Sequence, residues 1–568
     1  MNTNTMKCLS PTYAILGLVV LLYPTALYAQ SDVDTQGTPI ENDLVVENCA
    51  SCHAQDDSGR MTRLSYMRKT PEGWQTSIRR MVSLNDVDLD PASARGIVRY
   101  LSNQHGIAPG ELRPALFEVE RRMDDFVYEA DEETETTCTQ CHSMGRVMTQ
   151  RRSGEEWGLL IAMHRGYYPL SDFQAFRYMG SPTGTPGAAD DTRHPMDKAI
   201  EYLSEEFPLE TPEWTDWSAT MQPPQIAGRW AVLAVQPGYG RIFGEMVIEA
   251  SEDASDEFET STILTYARSG NTVLRRGSSI VYTGYQWRGS SFLGNGQDPL
   301  REVLFVERDW QQISGRWFTG DYDELGFDIE LHRVGNDPMI LGMEPRALQA
   351  GSIGQAVRIF GANLPETLDP EAVDLGPGIT VQRVVGSDGY SATVIVDIAE
   401  DASIGPRDIS AAGARRPETG FVYDQIHSIR VNPEWGMARL GGARMPRGYV
   451  QFEARAYHDG TDGRTGTDDD VDLGIVDATW ILEEYSATFD DDDIDFVGEI
   501  DAQTGFFTPA EDGPNSERSG NRNNVGDVWV VADFSPPGAQ TDRSLSARAH
   551  LISTVPLYMR WDPWGDVP

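Results

Sequence analysis

The chain has 568 residues, with 88 acidic against 46 basic side chains and a formal net charge of −42 at pH 7. So acidic a balance argues against nucleic acid or an anionic membrane as a partner. The length suffices for about three to five domains, and only five residues are cysteine.

Residues 1–29 read as a cleavable export signal. One lysine, Lys7, precedes the apolar run AILGLVVLLYPTAL, and Ala29 offers a small residue at the cleavage point. The run is too short and too proline-interrupted to span a membrane comfortably. Cys8 precedes the run and leaves with the signal. The mature chain is therefore expected in the periplasm with four cysteines, Cys49, Cys52, Cys138 and Cys141.

These four lie in ENCASCH (Glu47 to His53) and TCTQCH (Thr137 to His142). Two disulfides would suit an oxidising compartment, but give no reason for a histidine at the same place twice. Cys-x-x-Cys-His is the pattern of covalent c-type haem attachment, in which both thiols add to the haem vinyl groups and the adjacent histidine becomes the proximal iron ligand. On this reading Cys49, Cys52, Cys138 and Cys141 hold two haems c, and His53 and His142 bind their irons.

Residues 30–215 read as a mostly helical dihaem cytochrome c domain, built of two tandem units at about 40–110 and 111–215. In MRKTPEGWQTSIRRMV, Trp74, Ile78 and Met81 fall at helical spacing after a Pro-Glu start. In DPASARGIVRYLSNQHG, Asp90 is a helix cap, Pro91 the first helical residue and Gly106 the stop. Each unit runs from its motif to a helix opened by a tryptophan and then to a closing helix with Tyr-Leu-Ser, RYLS in the first and EYLS in the second. The second carries an irregular insertion, GSPTGTPGAADDTRHP, before its last helix.

The sixth ligand sets a haem's potential, and an empty sixth site would admit peroxide or oxygen. Aligned on their tryptophans, the units place Met81 seven residues after Trp74 and His164 seven after Trp157. Met81 and His164 are thus the expected distal ligands, giving one His/Met and one bis-His haem of unequal potential. His194, Met179 and Met196 are rivals for the second iron. His105, at the end of a helix, reads as a cap or surface residue.

Beyond Thr211 to Trp217 the pattern turns to strands. Residues 222–336 hold short alternating runs such as RWAVLAV, RIFGEMVIEA and ISGRWF between Gly-rich turns, the pattern of an antiparallel barrel or sandwich. Residues 337–420 read as a compact immunoglobulin-like sandwich, and 421–568 as a further β-sandwich with wide polar loops. The acidic runs Asp490 to Asp493 and Asp459 to Asp472 match no calcium-loop spacing and read as solvated surface. The β region shows no nucleophile or metal motif, which leaves it docking and scaffolding.

The motif order, TPEGWQTSIRRM (Thr70 to Met81) and RWAVLAVQPGYGRIFGEM (Arg229 to Met246) resemble the α subunit of quinohaemoprotein amine dehydrogenase, from about Asn42 to Trp564. The resemblance implies a dihaem domain followed by three β-rich domains. It implies an αβγ assembly with a β-propeller subunit and a small subunit bearing cysteine tryptophylquinone. A primary amine would condense with that quinone, a base of the small subunit would remove a proton, and the aldehyde would leave after hydrolysis. Electrons would then pass singly through the haems to a cupredoxin or small cytochrome c. This chain would carry no catalytic residue of its own. A dihaem cytochrome c peroxidase and a stand-alone periplasmic dihaem carrier are the competing readings. The resemblance does not explain the acidity.

Overall fold

The structure, a computed structural model, describes residues 37–117, 130–138, 142, 144–168, 193–320, 325–442, 446–485, 492–536 and 544–555. The export signal, Cys141, Met179 and most of the insertion lie outside the described residues.

The helical region is laid down by local signals. Helix α1 (Asp43–Cys49) starts on Asn42, whose side chain accepts the Val45 N–H, and ends on the first motif cysteine. Strand β1 (Met67–Lys69) leads into α2 (Pro71–Asn85), capped by Thr70 with proline at the first position. Helix α3 (Pro91–Gln104) is capped by Asp90, which accepts from Ala92 and Ser93. After α4 (Pro109–Leu112), helix α5 (Glu132–Cys138) ends on the second motif's first cysteine. Then follow α6 (Gly145–Met148), β2 (Gln150–Arg152) and α7 (Gly154–Tyr167), capped by Ser153. Helices α8 (Pro195–Glu206) and α9 (Pro212–Thr220) are capped by His194 and Thr211.

The region is not all-α. β1 and β2 pair antiparallel, Met67 with Arg152, Arg68 with Arg151 and Lys69 with Gln150, and this ribbon joins the units. Three-residue strands have too little periodicity to show in sequence. About the ribbon the units match. Thr70 Oγ1 accepts from Gly73 N–H and Ser153 Oγ from Glu156 N–H, each at 3.3 Å. Trp74 Nε1 donates to the His105 carbonyl at 3.0 Å, and Trp157 Nε1 to the Phe207 carbonyl at 3.1 Å. Both tryptophans are buried, at 0% and 1% exposure.

Arg68 ties the ribbon to both units' closing segments. It is fully buried, pairs bidentately with Glu111 at 2.8 and 2.9 Å, and donates to the Leu209 and Gly106 carbonyls. Arg151 reaches the same carboxylate at 3.2 Å. Burial alone would raise the Glu111 pKa; the Arg68 hydrogen bonds and charge overcome that and hold it at about 2.

The next eight strands, from β3 (Gly228–Gln236) to β10 (Gly326–Arg333), each pair antiparallel with the following one, and β10 closes on β3. Side chains alternate in and out, as a small barrel requires, and Trp230, Trp287, Phe258 and Trp317 fill the interior. The helical region docks on this barrel through Arg288 with Glu72, Arg99 with Asp256 and Glu257, Tyr285 Oη to the Ile107 carbonyl (2.8 Å) and Thr283 Oγ1 to the Ser102 carbonyl (2.9 Å). Residues 339–423 form two packed four-stranded sheets over a Val/Ile/Leu core. The last described part, from Ser428 to Thr554, combines a four-stranded sheet with two three-stranded ones around Phe452, Trp480, Phe507 and Val530.

Candidate haem sites

Each motif begins at the last residue of a helix, and in the first the following turn presents the histidine from that fixed base. In the first, His53 N–H donates to the Cys49 carbonyl at 2.9 Å, and His53 Nδ1 donates to the Thr62 carbonyl at 3.0 Å. That bond fixes the tautomer whose Nε2 carries the lone pair, the usual outer-shell support of a metal-bound histidine. Burial lowers the His53 pKa and favours the neutral form a metal needs. Cys49, Cys52 and Cys138 carry free thiols. Burial, and then Cys52, raises the Cys49 pKa, while burial and Asp131 push Cys138 up to about 12.

In the second unit His142 and His164 come together, with ring centroids 6.4 Å apart and planes inclined by 58°. Imidazole–metal bonds run about 2 Å, so two imidazoles facing each other across one ion have centroids about 6 Å apart. His164 Nδ1 donates to the Leu160 carbonyl at 2.8 Å, which again leaves Nε2 as the metal-binding nitrogen. Burial lowers the His164 pKa. These residues fit an iron held between two imidazoles.

Met81 holds the same place on α2 as His164 on α7, eleven residues past the cap. Its sulfur accepts from Asn85 Nδ2 at 3.8 Å. It lies near the end of α2, a short connection before α3. Of the rivals, His194 caps α8 through Nδ1, which accepts the Met196 N–H, and Met196 packs against Ile161 in a small apolar cluster. His105 does cap α3, but its side chain is fully buried against Trp74 and Tyr100, not at the surface. Its position past the last helical turn gave no hint of that, because one of the rings that bury it, Trp74, comes from α2.

Sequence reading missed one cluster. Asp424, His427 and His458 bring ligand atoms within 4.8 Å of one another. Their hydrogen bonds disfavour a metal. Gly460 N–H donates to His458 Nδ1 at 3.1 Å, so Nε2 carries the proton and donates to Asp424 Oδ1 at 3.1 Å. Asp459 N–H likewise donates to His427 Nδ1 at 3.2 Å. The three residues lie 3 and 31 positions apart on separate strands and loops, too scattered for a motif. The nearby acidic loop is mostly exposed and bonds to itself, with Asp469 accepting from Thr461, Asp462 and Thr467.

Among the described residues no helix is long and apolar enough to cross a membrane. Four family profiles match the chain. "Quinohemoprotein amine dehydrogenase A, alpha subunit, haem binding" covers residues 40–185, and "Quinohemoprotein amine dehydrogenase, alpha subunit" domains II, III and IV cover 223–334, 337–424 and 429–564. No curated relative matches. Among solved structures the chain is similar to a redesigned β barrel (14% identity, 19% of this chain and 92% of that one, TM-score 0.17) and to the plexin A4 extracellular region (10%, 57% and 31%, 0.18). At such TM-scores neither likeness bears on function.

The N-terminal region is thus a haem-binding domain attached to several β-rich domains, the plan of a redox subunit. The chain belongs to the quinohaemoprotein amine dehydrogenase α-subunit family, whose members are subunits of an oxidoreductase complex.

Proposed function

We propose that this chain is the periplasmic electron outlet of an amine dehydrogenase and holds two haems c. Cys49, Cys52 and His53 hold the first, with Met81 as sixth ligand. Cys138, Cys141 and His142 hold the second, with His164 opposite. The observation that carries the reading is the 6.4 Å separation of the His142 and His164 rings. Bound haem supplies one-electron redox chemistry; the protein supplies ligands, orientation and local charge. Thr62 and Leu160 orient His53 and His164, and the buried tryptophans lock the ligand helices to the ribbon.

Amine oxidation itself belongs, on this reading, to cysteine tryptophylquinone on a small partner subunit, within an αβγ assembly that includes a β-propeller subunit. The external acceptor is a cupredoxin or a small cytochrome c. The first motif stands open: Ser51 and Cys52 are exposed, as are Val82 and Leu84 just beyond Met81.

The test is anaerobic. The complex is purified from the periplasm, a simple primary amine is added, and the visible haem spectrum is recorded. Reduction of the haems, with two smaller subunits co-eluting, is expected. If amine leaves the haems oxidised and the half-reduced protein consumes peroxide, the peroxidase reading replaces this one.

A further inference from the structure

Two buried cations stand at matching places in the two haem units. Lys69 and Arg152 each directly precede the residue that caps the ligand helix, Thr70 and Ser153. Lys69 is 7% and Arg152 3% exposed. Each lies over its own unit's tryptophan, Lys69 Nζ 5.1 Å from the Trp74 ring and Arg152 Cζ 5.7 Å from the Trp157 ring. The backbone N–H of each is also bound alike, Lys69 to the His105 carbonyl at 3.0 Å and Arg152 to the Phe207 carbonyl at 3.3 Å.

Neither cation has a carboxylate of its own. The Lys69 ammonium donates to Ser77 Oγ at 2.6 Å, and among the described residues no carboxylate lies within ion-pair distance of it. Arg152 Nε donates to Gln150 Oε1 at 2.9 Å, while its Nη1 is buried without a hydrogen-bond partner. Glu156 is 3.5 Å from that nitrogen, but Arg63 already holds the same carboxylate at 2.7 Å. The strongest charges acting on Lys69 are Arg152, Arg80, Glu156 and Arg63, in which cations outnumber the carboxylate. Burial, then these cations, drives the Lys69 pKa well below the ordinary lysine range, and burial brings Arg152 down to about 10.

Burying an unpaired cation costs several kcal/mol. A chain that leaves Lys69 unpaired and makes Arg152 share Glu156 with Arg63, at equivalent positions beside ligand helices, has left room for anions that are not part of the polypeptide. The cluster is also next to the proposed ligands: Arg63 and Glu156 act on His53, and Arg80 and Arg152 act on His164. A haem brings two carboxylates on its propionate arms.

We propose that Lys69 and Arg152 are the propionate anchors of the first and second haem, and that each fixes its own haem's reduction potential. The assignment rests on the haem reading above. A fixed cation beside a haem favours the form holding one more electron, so it raises the potential. Because the Arg152 charge also acts on Lys69 across the ribbon, it is felt in both units. Propionates held by these cations stay ionised well into the acid range.

The experiment uses the haem-loaded full chain with Lys69→Met, Arg152→Met and Lys69→Arg. Haem content is read from absorbance, and midpoint potentials from a spectroelectrochemical titration at several pH values. Each methionine variant is expected to lower one haem's potential by about 59 mV or more, a tenfold shift in its oxidised-to-reduced ratio. A new pH dependence of that potential near neutrality is expected with it. Lys69→Arg should restore the wild-type value. Bound haem with unmoved potentials in both methionine variants overturns the assignment alone. A wild-type chain without haem absorbance overturns the haem reading and takes this assignment with it. Should the methionine variants fail to accumulate, redox-difference infrared spectra of the wild type decide. Propionates ionised at pH 5 support the anchors, and a protonated carboxyl band at pH 6 overturns them.

Discussion

The two haem units are one scaffold used twice with one decisive change. Cap, tryptophan, buried cation and ribbon strand recur in register, yet the eleventh residue past the cap is Met81 in one and His164 in the other. Both ligand helices expose apolar side chains, Val82 and Leu84 on α2 and Leu159 and Tyr167 on α7, and His164 also packs against His142 and Tyr168. On the proposed ligation, a repeated fold would hold two redox centres at different potentials by a single side-chain substitution, because thioether and imidazole favour different iron oxidation states. The common frame would keep the centres together, and the variable position would separate them in energy.

Changing the variable position has the largest expected effect. His164→Ala should turn one haem high-spin, and Met81→Ala the other, read by visible and electron paramagnetic resonance spectra. His164→Met should make the second haem resemble the first and raise its potential. If both alanine variants stay low-spin, the equivalence of the two positions is wrong.

The common frame can be broken at Glu111, which lies between the units. Glu111→Gln leaves Arg68 buried without its carboxylate and should cost about 3–5 kcal/mol, seen as a lower midpoint in chemical denaturation of the helical domain. Glu302 in the barrel gives the opposite pH behaviour. It is 1% exposed, Trp287 Nε1 donates to it at 3.0 Å, and burial raises its pKa to about 7. The Glu111 pKa is lower in the folded than in the unfolded chain, so its stabilisation is present above about pH 4.5 and is lost as pH falls toward 2. The Glu302 pKa is higher in the folded chain, so the barrel is most stable below about pH 4.5 and loses up to about 3 kcal/mol as pH rises through 7. Glu302→Gln should flatten that loss without touching the acid limb set by Glu111. Unfolding followed from pH 3 to 8 measures both.

The smallest effect is the sharpest test of equivalence. Thr70→Ala and Ser153→Ala each remove one helix cap and should each cost about 1 kcal/mol. Similar values support the pairing of the halves. A cost confined to one unit means that only that unit's helix depends on its cap.

The sequence by itself determined everything that acts over a few residues. The Cys-x-x-Cys-His motifs, the caps at Asp90 and Thr70, the seven-residue step from tryptophan to Met81 or His164, and the alternation of RWAVLAV and RIFGEMVIEA are short-range patterns, and short-range forces write them. Tertiary structure alone decided what joins distant segments. It paired Lys69 with Gln150, closed β10 on β3, set Trp74 of α2 against His105, gathered Asp424, His427 and His458, and, among the described residues, left Lys69 without a carboxylate and made Arg152 share Glu156 with Arg63. Burial and charge pairing depend on which remote side chains arrive, and no local spacing encodes that.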